Sequence, residues 1–324
     1  MDPVDALEQI AYLLETRRAE TYKVRAFRNA ADVIREINPS ELTKLARSNR
    51  LSSLSGVGKT TAAVIEQALR GEEPAYLVEL GSEVAPPLSG PVAELRKKLK
   101  GDCHGHSDWS DGGSPVQTMA EAARDLGHEY WTLTDHSARL TVAHGLDSER
   151  LLSQLDLIEE LNETLAPFRI LTGMEVDILE DGSLDLEEEL LARLDVVVGS
   201  VHSKLRMDSD NMTKRMLRAI ENPNIDILGH CTGRIVVGKG RPESTFDHEA
   251  IIEACARTET AVEINSRPER LDPPIEILRL AVANDCFISI DTDAHAPGQL
   301  EWQSNGCEMA VASEVDPKLV VNSW

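Results

Sequence analysis

The chain has 324 residues, of which 41% are hydrophobic and 27% are charged, and its formal net charge is −23. This is the composition of a soluble chain that can bury a large core. No uncharged apolar run approaches the roughly 18 residues of a membrane span, so we expect no membrane anchor. The large negative charge opposes tight nucleic-acid binding by the whole surface, because phosphates would be repelled.

The first 75 residues are predicted to form a small all-α domain. Apolar residues at helical spacing predict helices over residues 4–16 and 22–37. A third helix is expected to start at Ser40 as its N-cap, and a fourth runs to Leu69. This segment has 11 basic and 11 acidic residues, whereas the remainder has 22 basic and 45 acidic residues. A neutral amino-terminal segment therefore precedes a strongly acidic body.

The sequence Gly56-Val57-Gly58-Lys59-Thr60 superficially suggests a phosphate-binding P-loop. That pattern requires a glycine where Ser53 stands, and it requires a preceding strand, so we reject an NTPase. Between two short helices, the same residues indicate a helix-hairpin-helix, in which glycine amides and a helix N-terminus hold a DNA phosphate. We therefore predict DNA-binding residues Gly56, Gly58 and Lys59, and a hairpin used only for packing is the alternative.

Residues 76–100 contain several prolines and are predicted to link this domain to a second one over residues 101–324. From residue 101 onward, short β-branched runs alternate with amphipathic helical stretches. Strands are predicted over residues 101–106, 130–135, 169–176, 195–201, 225–230, 260–265 and 286–292. Seven strand–helix units favour a distorted seven-stranded β/α barrel, although a doubly wound sheet would show the same alternation.

A polar residue stands at the carboxyl end of every predicted strand, which is where β/α barrels build their sites. Six of the nine histidines of the chain lie there, and two of them share the sequence His104-Gly105-His106. A structural role is the alternative for any single histidine, but not for the whole set. Nine ligands exceed the needs of one ion, so we expect two to three divalent ions of zinc, manganese or iron. The candidate ligands are His104, His106, Asp111, His136, Glu175, His202, His230, Asp293 and His295.

Other charged residues near the strand ends are candidates for substrate contact or for support. Arg234 and Arg267 are predicted to bind phosphate oxygens, because a guanidinium can do so in a bidentate manner, and Lys204 is a weaker candidate. Asp135 and Asp177 are expected to orient the ligands. Five scattered cysteines, none in a Cys-x-x-Cys pair, argue against a disulfide framework and predict a cytoplasmic protein.

The stretch from residue 102 to 295 resembles the PHP (polymerase and histidinol phosphatase) domain, above all that of bacterial family X DNA polymerases. The resemblance rests on DCHGHSDWSDG, LTDHS, GMEVDIL, VVGSVHS, NPNIDILGHCTGR, VEINSRPERLD and IDTDAH. Residues 1–75, including YKVRAFRNA, resemble the amino-terminal helix-hairpin-helix domain of the same polymerases. The polymerase palm has no room between residues 76 and 101, and Val64 stands where members with lyase activity carry a lysine.

The resemblance implies a metal-dependent phosphoesterase in which a metal-bound hydroxide attacks phosphorus, with Glu175 and Asp293 among the catalytic residues. The implied substrates are DNA ends, cleaved as a 3′→5′ exonuclease or a 3′-phosphatase. The alternatives are a small phosphate monoester of the histidinol phosphate type and a non-enzymatic DNA-tethering adaptor. Three ions are implied: one held by His104, His106, Glu175 and Asp293, a second by Glu175, His202 and His230, and a third by Asp111, His136 and His295.

Overall fold

The structure is a computed structural model, which describes residues 1–82 and 87–324. It divides the chain into two compact units, Met1–Pro87 and Leu88–Trp324. None of the helices it describes has the length and apolar character needed to cross a membrane. The described part of the first unit contains the helices α1 (Pro3–Thr16), α2 (Thr21–Arg35), α3 (Pro39–Arg47), α4 (Lys59–Leu69) and α5 (Ala75–Gly81).

The first unit is held together by apolar helix faces. Leu7 and Ile10 of α1 lie three positions apart, so they share one face, and both are fully buried beside Ile65 of α4. The prediction that Ser40 caps the third helix is wrong. The cap is Asn38, whose side chain accepts a hydrogen bond from the Ser40 amide at 2.9 Å, and Pro39 is the first helical residue. Proline suits that position because its fixed φ is already helical and no partner for its nitrogen is needed.

The segment predicted as a linker, residues 76–100, is largely structured. Helix α5 packs against α1, and its Leu77 and Leu80 join the apolar core of the first unit. Helix α6 (Gly90–Arg96) packs against α13 (Gln303–Ala312), and its Leu95 joins a core of the second unit. Leu77 and Leu80 bury apolar surface in the first unit, so this unit extends beyond the predicted boundary at residue 75. Leu95 buries apolar surface in the second unit, which therefore begins before residue 101. Residues 83–86 of the predicted linker lie outside the described residues.

The second unit is a nearly closed barrel of seven parallel strands, which pair in chain order from the first to the seventh. The predicted β/α barrel is therefore confirmed. A doubly wound sheet would have strands out of chain order, and the strands of this sheet follow chain order throughout. The strands are β1 (Gly101–Asp102), β2 (Tyr130–Leu133), β3 (Arg169–Asp177), β4 (Val196–Ser200), β5 (Ile227–Leu228), β6 (Ala261–Asn265) and β7 (Ile288–Asp291). The remaining helices are α7 (Val116–Asp125), α8 (Ser148–Leu165), α9 (Glu188–Leu191), α10 (Ser209–Ile220), α11 (His248–Thr258) and α12 (Ile275–Ala283).

Several strands are shorter than the sequence predicts. Both β1 and β5 have two residues, whereas the predicted ranges were 101–106 and 225–230. The difference arises because side chains replace backbone carbonyls as acceptors at the strand ends. The His230 amide, for example, donates to the carboxylate of Glu263 on the neighbouring strand. Backbone pairing thus gives way to side-chain contacts where the candidate ligands begin.

The first and last strands meet at a seam that we call the β1–β7 seam. One parallel bridge joins Gly105 to Ala294 above the strands. Below it, the Thr292 amide donates to Asp102 Oδ1 at 3.2 Å, so a side chain supplies the acceptor that a strand partner would provide. The sequence Asp102 to His106 is therefore fixed against the segment that carries Asp293.

Two further residues complete the β1–β7 seam. The Cys103 amide donates to Asp291 Oδ1 at 2.8 Å. Asn322, near the carboxyl terminus, donates to the same oxygen at 2.8 Å and accepts from the Ile290 amide at 2.6 Å. Asn322 and Asp291 are fully buried, so these contacts are shielded from water. The segment around Asn322 thus helps to close the barrel between β1 and β7.

Candidate metal centre

The candidate ligands converge at the carboxyl-terminal end of the barrel. They come from loops after β1, β2, β4, β5 and β7 and from β3 itself, and most of them are buried. Because parallel strands all end at the same rim, residues far apart in sequence lie together there. The cavity at this rim has a volume of about 330 Å³ and is lined by Asp111, His136, Leu140, Glu175, His202, His230, Ile235, Arg267, Glu269, Arg270, Asp293 and His295.

Glu175 lies at the centre of the cluster. Its Oε1 is 2.9 Å from His230 Nε2 and 3.2 Å from His202 Nε2. Its Oε2 is 2.8 Å from His136 Nδ1 and 3.4 Å from His104 Nε2. The two oxygens of one carboxylate therefore face different histidines. Glu175 could therefore contribute one oxygen to each of two ions.

A second group forms around Asp111 in the loop between β1 and α7. Its Oδ1 is 3.3 Å from His295 Nε2 and 3.5 Å from His136 Nε2, and His106 joins them with all four ligand atoms within 4.8 Å of one another. Because His106 and His136 each belong to more than one group, the division of ligands among three ions stays a prediction. Among the described residues there are two further groups, each of three residues: His104, His106 and Glu175, and His136, Glu175 and His202.

Asp293 links the metal ligands to the arginines of the cavity. It has φ of +52°, a left-handed conformation that is rare for residues other than glycine and is often found at functional sites. Its Oδ1 is 3.3 Å from His106 Nε2, and its Oδ2 is 3.2 Å from Arg270 Nε. Arg267 Nη1 is 3.6 Å from Oδ1. The carboxylate therefore lies between an imidazole and two guanidinium groups.

The structure brings one of the two predicted phosphate-binding arginines into the cavity. Arg267 lines it, whereas the Arg234 guanidinium donates to the Arg270 carbonyl at 3.0 Å, to the Leu271 carbonyl and to Glu243 at 3.3 Å. Arg234 thus supports the loop and is not among the cavity-lining residues. Arg270, which sequence reasoning missed, lines the cavity instead. Its Nη1 is buried and has no hydrogen-bond partner within the described ranges 1–82 and 87–324.

The remaining predicted residues lie around the cavity. Lys204 is exposed, 3.9 Å from Glu180, and does not line the cavity. Asp177 Oδ1 accepts from the His202 amide at 3.2 Å, so it can orient that ligand. Asp135 instead accepts from the Ser107 amide at 2.8 Å, which fixes the loop that leads to Asp111. Neither aspartate is placed as a metal ligand.

The electrostatics of the cluster differ from one candidate ligand to the next. Burial lowers the pKa of His106 to about 3 and that of His230 to about 4, so both are neutral at pH 7. Burial alone would raise the pKa of Glu175, but the facing imidazoles hold it well below its usual range. His104 and His202 differ, because burial opposes their charge but facing carboxylates outweigh it. Glu263 and Glu175 hold the pKa of His104 well above its usual range, and Glu175 and Asp177 raise that of His202 to about 9. A metal ion held by these two imidazoles would take the place of a proton.

The residues present fit divalent metal ions. His104 Nε2, both ring nitrogens of His106 and His202 Nε2 are buried, yet none makes a well-directed hydrogen bond within the part of the chain that the structure describes. Buried polar atoms without partners are costly in a folded protein, so such a cluster points to a ligand. Nitrogen and carboxylate donors together suit borderline transition metals. The site is thus built for divalent metal ions.

Comparison with known families identifies both units. Residues 1–74 match the helix-hairpin-helix domain family, and residues 102–267, more than half of the chain, match the PHP domain family.

The chain belongs to the PHP family.

Two known proteins show what this PHP protein is similar to. The DNA polymerase/3′-5′ exonuclease PolX of Bacillus subtilis (strain 168) is 39% identical over 226 residues, which are 70% of this chain and 39% of that protein. A probable phosphatase of Thermoanaerobacter sp. (strain X514) is 31% identical over 240 residues, which are 70% of this chain and 91% of that protein. The chain thus spans about two fifths of the polymerase and most of the phosphatase.

Among solved structures, the histidinol phosphate phosphatase of Lactococcus lactis subsp. lactis Il1403, complexed with zinc, L-histidinol and phosphate, has a TM-score of 0.46 and 17% identity. The similar region covers 66% of this chain and 92% of that one. With its PHP domain, its phosphatase relatives and its cluster of metal ligands, the chain is a metal-dependent hydrolase of phosphate esters.

The helix-hairpin-helix unit of this PHP protein presents its predicted DNA-binding residues at the surface. Gly56 has φ of +91°, and a Cβ there would approach Val33 Cγ2 to 3.1 Å, so glycine suits the turn. The Gly58 amide, however, donates to Thr61 Oγ1 at 2.9 Å and is already engaged. Lys59 begins α4 and is exposed. Val64 is buried in the core of this unit, at the position where a lyase lysine would stand.

Proposed function

We propose that this PHP protein hydrolyses phosphate esters at DNA ends, as a 3′→5′ exonuclease or a 3′-phosphatase. The observation that carries the proposal is the presence, in one chain, of a helix-hairpin-helix unit and a PHP metal centre. The first could engage a DNA backbone without regard to sequence, and the second could hydrolyse an ester at the end of the strand. The similarity to a polymerase and exonuclease supports this pairing.

The PHP residues would divide the work of hydrolysis among themselves. The histidines, Asp111, Glu175 and Asp293 would hold two to three zinc, manganese or iron ions. Bound ions of this kind lower the pKa of a coordinated water and offset charge on phosphoryl oxygens. Arg267 and Arg270 would bind the phosphate oxygens, because their guanidinium groups lie beside Asp293 at the cavity wall. Arg270 Nη1 is already buried there without a partner among the described residues.

The amino-terminal unit would contact the DNA backbone through main-chain amides. Within the described segments 1–82 and 87–324, no hydrogen bond occupies the amides of Gly56, Lys59 and Thr60. All three residues are exposed, and the last two open α4, where the helix dipole favours an anion. A phosphate would therefore be held by these amides rather than by that of Gly58, whose hydrogen is taken by Thr61.

Two apolar side chains in the cavity wall support a substrate that carries a nucleobase. Leu140 and Ile235 are half-buried and line the same cavity as His202 and Arg267. The ring of a terminal base could cover these side chains and remove apolar surface from water. A small phosphate ester with a strongly polar body would bury less apolar surface against Leu140 and Ile235 and would gain less binding free energy from them.

A small-molecule phosphatase of the histidinol phosphate type is the second candidate function. The length of the phosphatase relatives favours it. The chain covers 91% of a probable phosphatase, so that relative has little beyond the region shared with this chain. The net charge of −23 also favours it, since an acidic surface repels long nucleic acids. In that case the amino-terminal unit would serve for packing or for docking of a protein.

We also propose that the protein works in the cytoplasm. Its five cysteines are all free and buried, as expected of a chain that folds where thiols stay reduced. Burial raises the pKa of each of these thiols, so none is set up as a reactive thiolate. Fractionation of cells that express the protein with its native amino terminus would test the location directly.

A paired assay separates the two candidate functions. Protein loaded with Zn²⁺ or Mn²⁺ would be given oligonucleotides with a 3′-hydroxyl or a 3′-phosphate and, separately, histidinol phosphate and glycerol phosphate. We expect a kcat/KM for a DNA end that exceeds those for the small esters. Preference for histidinol phosphate, with no release of nucleotides or of 3′-phosphate, would establish the second candidate. No hydrolysis of any ester would refute both.

A further inference from the structure

Glu263 on β6 occupies a central place in the cluster without being one of the nine candidate ligands. Its side chain is fully buried, and its Oε1 lies 2.5 Å from His104 Nδ1. Its Oε2 accepts the hydrogen of the His230 amide. Strand β6 lies between β5 and β7, and β7 meets β1 at the β1–β7 seam. The Glu263 side chain can therefore reach one histidine that follows β1 and another that follows β5.

The contact with His104 determines which ring nitrogen can face a metal. An ionised carboxylate only accepts hydrogen bonds, so His104 Nδ1 must donate its hydrogen to Glu263. In the neutral form that binds a metal, the lone pair would then lie on Nε2, which is 3.4 Å from Glu175 Oε2. A carboxylate behind a histidine in this way fixes both the tautomer and the ring orientation of a metal ligand.

The contact with His230 acts on the backbone. His230 has φ of +23°, a conformation that residues with a Cβ rarely adopt. Its ring nevertheless reaches Glu175 Oε1 through Nε2 at 2.9 Å. The carboxylate of Glu263 satisfies the buried His230 amide in this strained position and thereby keeps the ring aimed inward.

Asn265, two positions further along β6, extends the contact to a third ligand. Its Nδ2 lies 3.3 Å from Glu263 Oε2 and 3.2 Å from Asp293 Oδ2. Residues two apart in a strand point to the same side, which is why Glu263 and Asn265 both face the cluster. One strand therefore contacts ligands that arrive from β1, β5 and β7.

We infer that Glu263 and Asn265 form a positioning pair that sets the geometry of His104, His230 and Asp293 together. The inference rests on the metal centre proposed above. Only a carboxylate at residue 263 can accept hydrogen bonds on both oxygens, whereas a glutamine offers one acceptor and must lose one of the two contacts. A single substitution of Glu263 should therefore weaken the binding of ions held through His104 and of ions held through His230.

The test measures metal binding and needs no substrate. The full chain would be stripped of metal, and Zn²⁺ would be titrated in competition with a chromophoric chelator. We expect Glu263→Gln to weaken the binding of at least two Zn²⁺ equivalents by about tenfold to a hundredfold each, which is the typical effect of removing a hydrogen-bond partner of a metal ligand. Asn265→Ala should weaken binding by less. Asp111→Ala, which removes a single ligand from the edge of the cluster, should weaken one equivalent and leave the others.

Asp195→Asn is the matched control. Asp195 also accepts hydrogen bonds from a backbone amide and a hydroxyl, both of Thr172, at 2.9 and 3.0 Å, but it precedes β4 at the opposite end of the barrel. Its Zn²⁺ affinity should equal that of the unmodified protein. If Glu263→Gln does not fold, as judged by circular dichroism, Glu263→Asp carries the same test, because the shorter side chain cannot reach both partners.

Each outcome bears on the inference. Unchanged Zn²⁺ affinity in Glu263→Gln, or an equal loss in Asp195→Asn, would overturn it. Weakening of a single equivalent would reduce Glu263 to a partner of one histidine and would also overturn it. If the unmodified protein bound no Zn²⁺, the proposed metal centre itself would fail, and that result is distinct from a failure of the positioning role alone.

Discussion

The two units of the chain prepare their functional groups in opposite ways. In the barrel, the candidate ligands are buried side chains, and several of them are held by a second side chain behind them, as His104 is by Glu263. In the helical unit, the candidate groups are exposed backbone amides at Gly56 and at the start of α4. The barrel site depends on many residues, whereas the helical site depends on one turn.

This difference predicts how each unit responds to change. Substitutions in the barrel should act on the chemistry of every ester, because all substrates would meet the same cluster of ligands. Changes in the helical unit should act only on substrates long enough to reach it. The expected effects therefore separate by substrate, and the comparison can be tested from the strongest effect to the weakest.

The largest effect is expected for Glu175→Gln. Its carboxylate faces histidines on both oxygens, and an amide would present hydrogens to one of these sides. We expect hydrolysis of both DNA ends and small esters to fall by about a thousandfold or more, since several kcal/mol of transition-state stabilisation would be lost. Rates would be measured alongside elemental analysis and circular dichroism. A folded variant that retains both its metal and its rate would show that Glu175 is misassigned.

An intermediate effect is expected for Arg270→Gln. Removing this guanidinium should raise KM for phosphate esters, and the inhibition constant of inorganic phosphate, by roughly tenfold to a hundredfold, because charge-assisted hydrogen bonds are lost. Arg279→Gln, on the exposed face of α12, is the control and should change neither constant. An effect of Arg234→Gln on phosphate inhibition that exceeds that of Arg270→Gln would restore the assignment made from the sequence.

The smallest effect is expected on removal of residues 1–87, the whole first unit. Hydrolysis of DNA ends should fall by about tenfold at low salt and by less at high salt, since only a few phosphate contacts are lost. Hydrolysis of a small phosphomonoester should stay within about twofold, because the metal cluster lies in the other unit. Both substrates would be measured at two salt concentrations. Equal losses on both would mean that the helical unit supports the barrel structurally.

Much of the barrel, and the gathering of the candidate ligands at one rim, could be predicted from the sequence because strand alternation is periodic. The β-branched run Ile288-Ser289-Ile290, followed by Asp293-Ala294-His295, indicates both a strand and its functional end, and His104-Gly105-His106 places two histidines two residues apart. All nine candidate ligands do lie at one rim. Their division among ions was less accessible, since His106 and His136 each approach more than one group.

The loops set the limit of sequence reasoning. Arg234 and Arg270 both follow strands, and nothing in their spacing indicates which one faces the cavity. The choice is made by a turn in which the Leu271 amide donates to the Arg267 carbonyl at 2.9 Å, with Leu271 at φ of +44°. This turn carries Arg270 to the cavity beside Arg267. Glu263 was visible at the end of a strand, but only packing reveals that it stands behind two ligands.

The β1–β7 seam has a consequence for the order in which the protein can be completed during synthesis. The ligand-bearing segments after β1 and β7 are held together by Asp102, Asp291 and Asn322, which lie far apart in sequence. The ribosome produces Asp102 long before it produces Asn322. We therefore expect that a nascent chain stalled before residue 322 binds zinc less tightly than a chain that includes Asn322, even when all seven strands have been synthesised.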